Sequence, residues 1–207
     1  NVPGLDAAAS TTREYYTTYA AHILGTISAM NSDDWKVYKE KGYKMDDKIG
    51  KSGLEKAFEE YLHGTDGRLA RVVDKEGNIV SQYYTKEPVA GHNVETSIDL
   101  NLQIVAEETM RQIHEELVAN GGNGADIQGM ACVVMDTRTG EVLACASYPT
   151  YDLATFFENY KEIVADERDP LYNRALNAAY PPGSTYKMCM VVAAMNSGAL
   201  NMDQTIE

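Results

Sequence analysis

The sequence predicts an α+β fold in which helices flank antiparallel strands, and three patterns support this prediction. Two strand-like stretches are each interrupted by a short turn with a glycine, at residues 74–78 and 137–140, as in β-hairpins. Apolar residues recur at helical spacing after Asp99 and again after Gly183. Hairpins and helices in separate stretches of the chain are typical of antiparallel α+β domains.

The composition is that of a globular protein and argues against two classes of function. Of the 207 residues, 44% are hydrophobic and 24% are charged, which provides enough apolar material for a core. The formal net charge of −13 argues against a nucleic-acid partner, because such a partner needs a basic surface. The three cysteines and four histidines show no metal-ligand spacing, so we expect neither a metal ion nor another cofactor.

Three short helices are expected near the N-terminus, and each is expected to end at a glycine. They lie within residues 20–25, 33–43 and 52–64. Ser32 or Asp33 would cap the second helix. Ser52 and Glu55 fit a capping box at the start of the third, in which the hydroxyl accepts from an amide while the carboxylate reaches back.

A domain boundary is expected near residue 92. Residues 68–85 alternate in polarity around a glycine turn and predict a β-hairpin. The polar stretch 85–93 is broken by Pro88 and Gly91, which is typical of a linker. The predicted domains are therefore residues 1–92 and 93–207.

The second domain is expected to begin with a short strand, 94–98, followed by a long amphipathic helix that Asp99 caps. The apolar stripe of this helix consists of Leu102, Val105, Ala106, Met110, Ile113 and Leu117. The glycine cluster at 121–124 would end the helix. Residues 150–179 are expected to form a mostly helical, acidic connection.

A second hairpin is expected around the Thr-Arg-Thr-Gly turn at 137–140. If Asp136 pairs with Glu141, the same register places Cys132 opposite Cys145. These cysteines then either form a cross-strand disulfide or pack as reduced thiols, and the second alternative is favoured. A slip of one residue would move them to opposite faces of the hairpin.

Residues 180–187, Tyr-Pro-Pro-Gly-Ser-Thr-Tyr-Lys, are the best candidate for chemistry. The prolines and glycine enforce an irregular entry, after which helical periodicity begins. Ser184 is expected at the start of this helix, with Lys187 one turn further on the same side. Alone, the pair is more simply a helix cap and a solvated lysine. If the apolar helix is buried against a sheet, however, the desolvated amine can take the proton of Ser184.

Several stretches, in the family's order, resemble the penicillin-binding proteins. The motif 180–187 is similar to their acylation motif. The segments similar to the start of their transpeptidase domain are 96–103, the hairpin 135–144, Tyr148-Pro149 and Asn173-Arg174-Ala175. The segments similar to the pedestal of the class B, or monofunctional, members are 21–25, 50–55 and 61–64. Among these members the elongation-type enzyme is most similar, which implies a pedestal or dimerisation-type region followed by the first part of a transpeptidase domain.

The resemblance implies a serine D,D-transpeptidase that cross-links peptidoglycan. Ser184 would be the acylated nucleophile, with its backbone N–H in the oxyanion hole, and Lys187 would be the general base. The implied partners are the D-Ala-D-Ala end of a peptidoglycan stem peptide, β-lactams and a membrane glycan polymerase. The parent protein would lie at the extracytoplasmic face of the bacterial cell membrane, anchored by an N-terminal helix.

The chain also departs from the family's pattern. The motifs S-x-N and K-[ST]-G do not follow Lys187, and no membrane anchor precedes the pedestal-like region. We therefore expect a fragment that is inactive alone. Two alternatives stay open: a β-lactamase or β-lactam sensor with the same Ser-Lys pair, and a non-catalytic module in residues 1–92 that docks wall-synthesis partners.

Overall fold

In the computed structural model the described residues are 13–122, 124–201 and 203. They belong to two compact units, Asn1–Leu176 and Asn177–Glu207. The helices are α1 (Ala21–Leu24), α2 (Ser32–Tyr38), α3 (Gly53–Ala57), α4 (Glu59–Leu62), α5 (Leu100–Asn120), α6 (Phe156–Ala165), α7 (Arg174–Asn177) and α8 (Lys187–Asn196). The strands are β1 (Ile27–Ala29), β2 (Lys48–Gly50), β3 (Arg68–Val73), β4 (Ile79–Lys86), β5 (Met130–Met135) and β6 (Val142–Tyr148). None of these helices is long and apolar enough to cross a membrane.

The strands of the described residues form three two-stranded antiparallel sheets. The hairpins β3–β4 and β5–β6 confirm the two turn predictions. Strands β1 and β2 pair across α2, with Ile27 opposite Gly50. The sequence does not predict this third pairing, because two strands of three residues are too short to show a periodicity of their own.

The strand predicted at residues 94–98 is wrong. This segment is described throughout, and it enters no sheet. Two hydrogen bonds attach its end to β6: the Ser97 hydroxyl donates to the Val142 carbonyl at 2.8 Å, and the Asp99 N–H donates to the Leu143 carbonyl at 2.9 Å. A strand pattern is not sufficient here, because a strand also needs a continuous ladder of backbone partners.

A β-bulge at Leu143 of β6, opposite Val134 and Met135, changes the register of the second hairpin. Next to the turn the strands pair as predicted, but beyond the bulge the register moves by one residue. Cys132 then lies opposite Ala146, and Cys145 lies opposite Val133. The two cysteines point to opposite faces of the hairpin, and both are free thiols. The favoured alternative, reduced thiols, is confirmed.

The cap of α2 lies one residue earlier than predicted. The Asn31 side chain accepts hydrogen bonds from the backbone N–H groups of Asp33 and Asp34, each at 2.9 Å. The Asp34 carboxylate accepts from the Asn31 N–H at 2.9 Å, which completes a capping box. Assigning the cap to Ser32 or Asp33 was therefore wrong, whereas Gly42 ends the following turn in the left-handed region, as predicted.

The capping box predicted at Ser52 and Glu55 is wrong. Ser52 lies at the N-cap position of α3, but its side chain makes no cap hydrogen bond. Its hydroxyl instead accepts from the Thr26 N–H at 3.0 Å, and Glu55 pairs with Arg13 at 2.9 Å. The local pattern does not predict this arrangement, because the Ser52 hydroxyl is hydrogen-bonded to Thr26, a residue distant in sequence, and not to the first turn of α3.

The predicted limits of α5 are confirmed, and its buried face coincides only in part with the predicted stripe, since Ala106 and Met110 belong to both. The Asp99 carboxylate accepts from the N–H groups of Asn101 and Leu102, and Gly121 ends the helix. The buried residues are Gln103, Ala106, Glu107 and Met110, while Val105 and Ile113 are exposed. Polar side chains therefore occupy part of the face that packs on β6.

Gln103 explains why a polar side chain lies on the buried face of α5, because its amide pairs with the backbone of β6. The Cys145 N–H donates to Gln103 Oε1 at 2.7 Å, and Gln103 Nε2 donates to the Cys145 carbonyl at 3.2 Å. The amide thus occupies the position of a third strand. Glu107 Oε1 accepts from Gln103 Nε2 at 2.7 Å and from the Ala20 N–H at 2.9 Å.

One hydrophobic core joins the N-terminal segment to residues far along the chain. Its buried residues are Ala21, Tyr151, Leu153 and Phe156, and the partly buried Tyr15, Leu24, Ile163 and Leu171 pack against them. The His22 ring also donates from Nε2 to the Pro170 carbonyl at 2.7 Å. These contacts cross the position of the predicted boundary at residue 92, and the division at that residue stays a prediction.

Candidate active site

The Ser-x-x-Lys motif lies on a 3-10 turn that leads into α8. The turn covers Gly183–Tyr186, and α8 begins at Lys187. Gly183 has a φ of 54°, a left-handed conformation that glycine adopts without steric cost. The predicted helix after Gly183 is therefore present, and its first turn is tighter than an α-helical one.

Ser184 and Lys187 are three residues apart on this turn. The Lys187 N–H donates to the Ser184 carbonyl. Side chains three residues apart on a 3-10 turn project from the same side, so the hydroxyl and the amine share one face. Among the described residues neither group has a side-chain hydrogen bond, and both residues are exposed. The turn therefore brings the two groups to one side but does not hold them in contact.

The helix after Ser184 is mostly exposed in the described residues, and its predicted burial against a sheet stays a prediction. Most of the apolar side chains of α8 are exposed, including Met188 at 76% and Val192 at 57%. The physical basis proposed for Lys187 as a base, removal of its amine from water, is thus not met in this structure. An exposed apolar face of this size is typical of a surface that another part of a protein covers.

The segment before the motif is attached to β6 by Ser147, a residue that the sequence analysis missed. The buried Ser147 hydroxyl donates to Asn173 Oδ1 at 3.2 Å and accepts from the Ala175 N–H at 3.0 Å. Asn173 Oδ1 also accepts from the Leu176 N–H, which begins α7. The only signal in the sequence was a serine within an apolar strand. The Asn-Arg-Ala segment thus has a structural role: it ties the chain to the β5–β6 hairpin.

Within the described part of the chain, no group of three histidine, cysteine or acidic side chains is placed to hold a metal ion. Burial raises the pKa of the Cys145 thiol, which makes this cysteine a poor nucleophile. A hydroxyl and an amine on one side of a turn can act as a nucleophile and its base.

Comparison with known proteins gives two domain matches. The penicillin-binding protein dimerisation domain matches residues 1–96, and the penicillin-binding protein transpeptidase domain matches residues 130–207. The chain belongs to the penicillin-binding protein family. The predicted fold class, a dimerisation-type region followed by the start of a transpeptidase domain, is confirmed.

Relatives within the penicillin-binding protein family match along almost the whole chain. The peptidoglycan D,D-transpeptidase MrdA of Salmonella typhimurium is 34% identical over 203 residues, which are 93% of this chain and 30% of that relative. A solved structure, described as the structural coordination of polymerization and crosslinking by a peptidoglycan synthase complex, has 31% identity and a TM-score of 0.76. The match covers 93% of this chain and 34% of that one.

A second solved structure is the complex of PBP2 with MreC from Helicobacter pylori. It has 28% identity and a TM-score of 0.67, and the match covers 91% of this chain and 33% of that one. The chain thus spans about a third of the length of the proteins it matches. These comparisons show the predicted family, and the roles of Ser184 and Lys187 stay predictions.

Proposed function

We propose that the penicillin-binding protein to which these residues belong is an elongation-type D,D-transpeptidase that cross-links peptidoglycan through an acyl-enzyme on Ser184. The observation that carries the proposal is the placement of Ser184 and Lys187 on one side of a 3-10 turn. This turn lies within the part of the chain that matches a transpeptidase domain. The curated relatives named as peptidoglycan D,D-transpeptidases give the substrate class.

In the proposed reaction Lys187 Nζ accepts the proton of the Ser184 hydroxyl as Oγ attacks the carbonyl between the two D-Ala residues of a stem peptide. The Ser184 N–H donates to the developing oxyanion. The peptide C–N bond then breaks, and D-Ala leaves with the proton from Lys187. An amine of a neighbouring stem peptide then attacks the ester carbonyl and forms the amide of the cross-link. The ester C–O bond breaks, and the proton of the amine passes through Lys187 to Ser184 Oγ. A β-lactam follows the first half of this path, and its opened ring stays on Ser184.

The exposed face of α8 bears on the activity of residues 1–207 by themselves. In the parent protein, later parts of the transpeptidase domain would cover α8, remove Lys187 from water and supply the S-x-N and K-[ST]-G motifs. The second donor of the oxyanion hole would come from the same later strands. We therefore expect residues 1–207 alone to be inactive.

Labelling with a fluorescent penicillin tests the nucleophile. The parent protein should retain the label through denaturing electrophoresis, and Ser184→Ala should abolish labelling. Ser197→Ala, which changes an exposed serine on the same segment, should label normally. Equal labelling of Ser184→Ala and the parent would refute the role of Ser184. Rapid release of the label would favour a β-lactamase. If residues 1–207 alone become labelled and Ser184→Ala abolishes this labelling, the prediction that they are inactive is wrong.

The proposed partner of residues 1–92 is a membrane glycan polymerase at the extracytoplasmic face of the cell membrane, where an N-terminal helix anchors the parent. Support comes from the relative solved in a peptidoglycan synthase complex. The β3–β4 hairpin offers a surface for docking, because its apolar side chains, such as Val73, Val80 and Tyr83, are exposed. Co-purification should be lost with Val80→Asp but retained with Val118→Asp, which changes an exposed valine on α5. Equal retention by both variants would exclude the hairpin.

A further inference from the structure

A cleft of about 370 Å³ opens in the unit Asn1–Leu176, away from the Ser-x-x-Lys turn in sequence. Its apolar lining comes mainly from α6 and the residues before it, including Tyr151, Phe156, Phe157 and Tyr160. Its polar lining comes from the β1–β2 region: Thr26, Ser28, Lys51 and Ser52. The cleft therefore combines aromatic rings with hydroxyl groups and an amine, and no part of the proposed transpeptidation uses it.

The aromatic side of the cleft is a prearranged surface. The Phe156 ring is buried, and its centroid lies 5.3 Å from those of Tyr151 and Phe157 and 5.5 Å from that of Tyr160. These contacts fix the rings of Phe157 and Tyr160, which nevertheless stay 66% and 47% exposed. Two held aromatic rings beside a cleft are an apolar surface that a ligand can cover without first ordering it.

The polar side of the cleft carries hydrogen-bonding groups without a free charge. The Lys51 ammonium pairs with Asp34, and both side chains are about a quarter exposed. This pairing neutralises the cation of the cleft while leaving further N–H donors on Lys51. Within the described part of the chain, the Ser28 hydroxyl makes only a long hydrogen bond, 3.4 Å, to the Ala29 carbonyl. Together with the net charge of −13, the neutral lining disfavours an anionic ligand.

These features select the chemistry of the ligand. A pyranose ring has one apolar C–H face, which is attracted to the negative face of an aromatic ring, and a rim of hydroxyl groups that donate and accept hydrogen bonds. A pyranose ring is also neutral, which suits a cleft lining without a free charge. The volume lies at the lower end of ligand pockets and suits roughly one or two sugar rings.

We propose that this cleft is a saccharide-binding site that holds a segment of a glycan chain of N-acetylated hexosamines. The choice of N-acetylhexosamines rests on the proposed function, since such a chain is the glycan part of peptidoglycan. Phe157 and Tyr160 stack on the sugar rings, and Ser28 and Lys51 bind their hydroxyl or acetamido groups. The site keeps a glycan strand on the protein independently of the acylated stem peptide.

The test titrates residues 1–207 with tetra-N-acetylchitotetraose and follows the ring signals of Phe157 and Tyr160 by NMR. We expect saturable shifts with a dissociation constant on the order of 1 mM. Phe157→Ala and Tyr160→Ala should each weaken binding about three- to tenfold, since each removes one stacking contact. Tyr84→Ala is the matched control, because Tyr84 is 52% exposed on β4 and does not line the cleft.

Three results would overturn the proposal: no saturable binding at about 10 mM saccharide, equal weakening by Tyr84→Ala, or undiminished binding by the double variant of Phe157 and Tyr160. Binding of an apolar peptide to the same rings, with no response to the saccharide, would identify a protein-docking groove instead. The titration does not involve Ser184 or Lys187, so its failure leaves penicillin labelling of the parent unaffected. Failure of that labelling with intact saccharide binding would reject only the proposed transpeptidation.

Discussion

At the scale of single residues, the buried side chains of Gln103 and Glu107 connect β6 to the N-terminal segment. Gln103 satisfies both backbone groups of Cys145, and Glu107 joins Gln103 to the Ala20 N–H. Glu107 is buried, and its Oε2 has no hydrogen-bond partner among the described residues. Burial raises the pKa of the Glu107 carboxyl, because the charged form loses its hydration.

The raised pKa of Glu107 predicts a pH dependence of stability. In the folded state the Glu107 carboxyl keeps its proton to a higher pH than in the unfolded state, where its pKa is about 4.5. The unfolding free energy should therefore fall as the pH rises from the unfolded pKa through the folded pKa. Glu107→Gln removes the carboxyl group that titrates, so the variant should gain stability relative to the original protein as the pH rises over that range. Urea unfolding at several pH values measures this difference.

Glu116→Gln is the control for Glu107→Gln, because Glu116 is exposed on the same helix. Its stability relative to the original protein should change little between the same pH values. A difference for Glu107→Gln that is constant with pH, or that runs in the opposite direction, would contradict the prediction. Comparing each variant with the original protein cancels the effect of the many carboxyl groups whose pKa is lowered by pairing.

At the scale of elements, the bulge at Leu143 in β6 determines which residues the cysteines face. We expect three free thiols in the protein purified without reductant, because Cys132 and Cys145 lie on opposite faces and Cys189 is exposed on α8. Thiol titration in denaturant measures this number directly. One thiol before reduction and three afterwards would show a disulfide and a hairpin without the bulge.

The elements also show which features a sequence can predict. The turn at 137–140, the Asp99 cap and the start of a helix after Gly183 are local, because the residues that form them are neighbours in the chain. The register shift between Val134 and Met135 and the hydrogen bond from Thr26 to Ser52 depend instead on residues that are not neighbours in the chain. For the same reason the spacing of Ser184 and Lys187 could be predicted, whereas their exposure could not.

At the scale of the whole molecule, α8 is an apolar helix in a chain that spans about a third of its relatives' length. If later parts of the parent cover α8, one substitution should have a small effect on the stability of residues 1–207 and a large effect on that of the parent. Val192→Lys should change the stability of residues 1–207 by less than about 0.5 kcal/mol, because Val192 is exposed. In the parent it should cost several kcal/mol, since it buries a charge. Thermal unfolding of both forms measures the two effects.

Asn196→Lys is the control, because Asn196 is an exposed polar residue at the end of α8. It should be tolerated in both contexts. If Val192→Lys is equally harmless in the parent, α8 stays exposed there, and the proposed covering of Lys187 is incorrect.

The core around Ala21 has a consequence for the order in which the chain folds. His22 and Pro170, which the hydrogen bond from Nε2 joins, are 148 positions apart in the chain. The residues that pack around Ala21, such as Tyr151, Leu153 and Phe156, are similarly distant in sequence. Bringing such distant residues together costs more chain entropy than forming a local helix or hairpin, and folding through non-local contacts is slow. The contacts of this core are therefore expected to form later than the local hairpins.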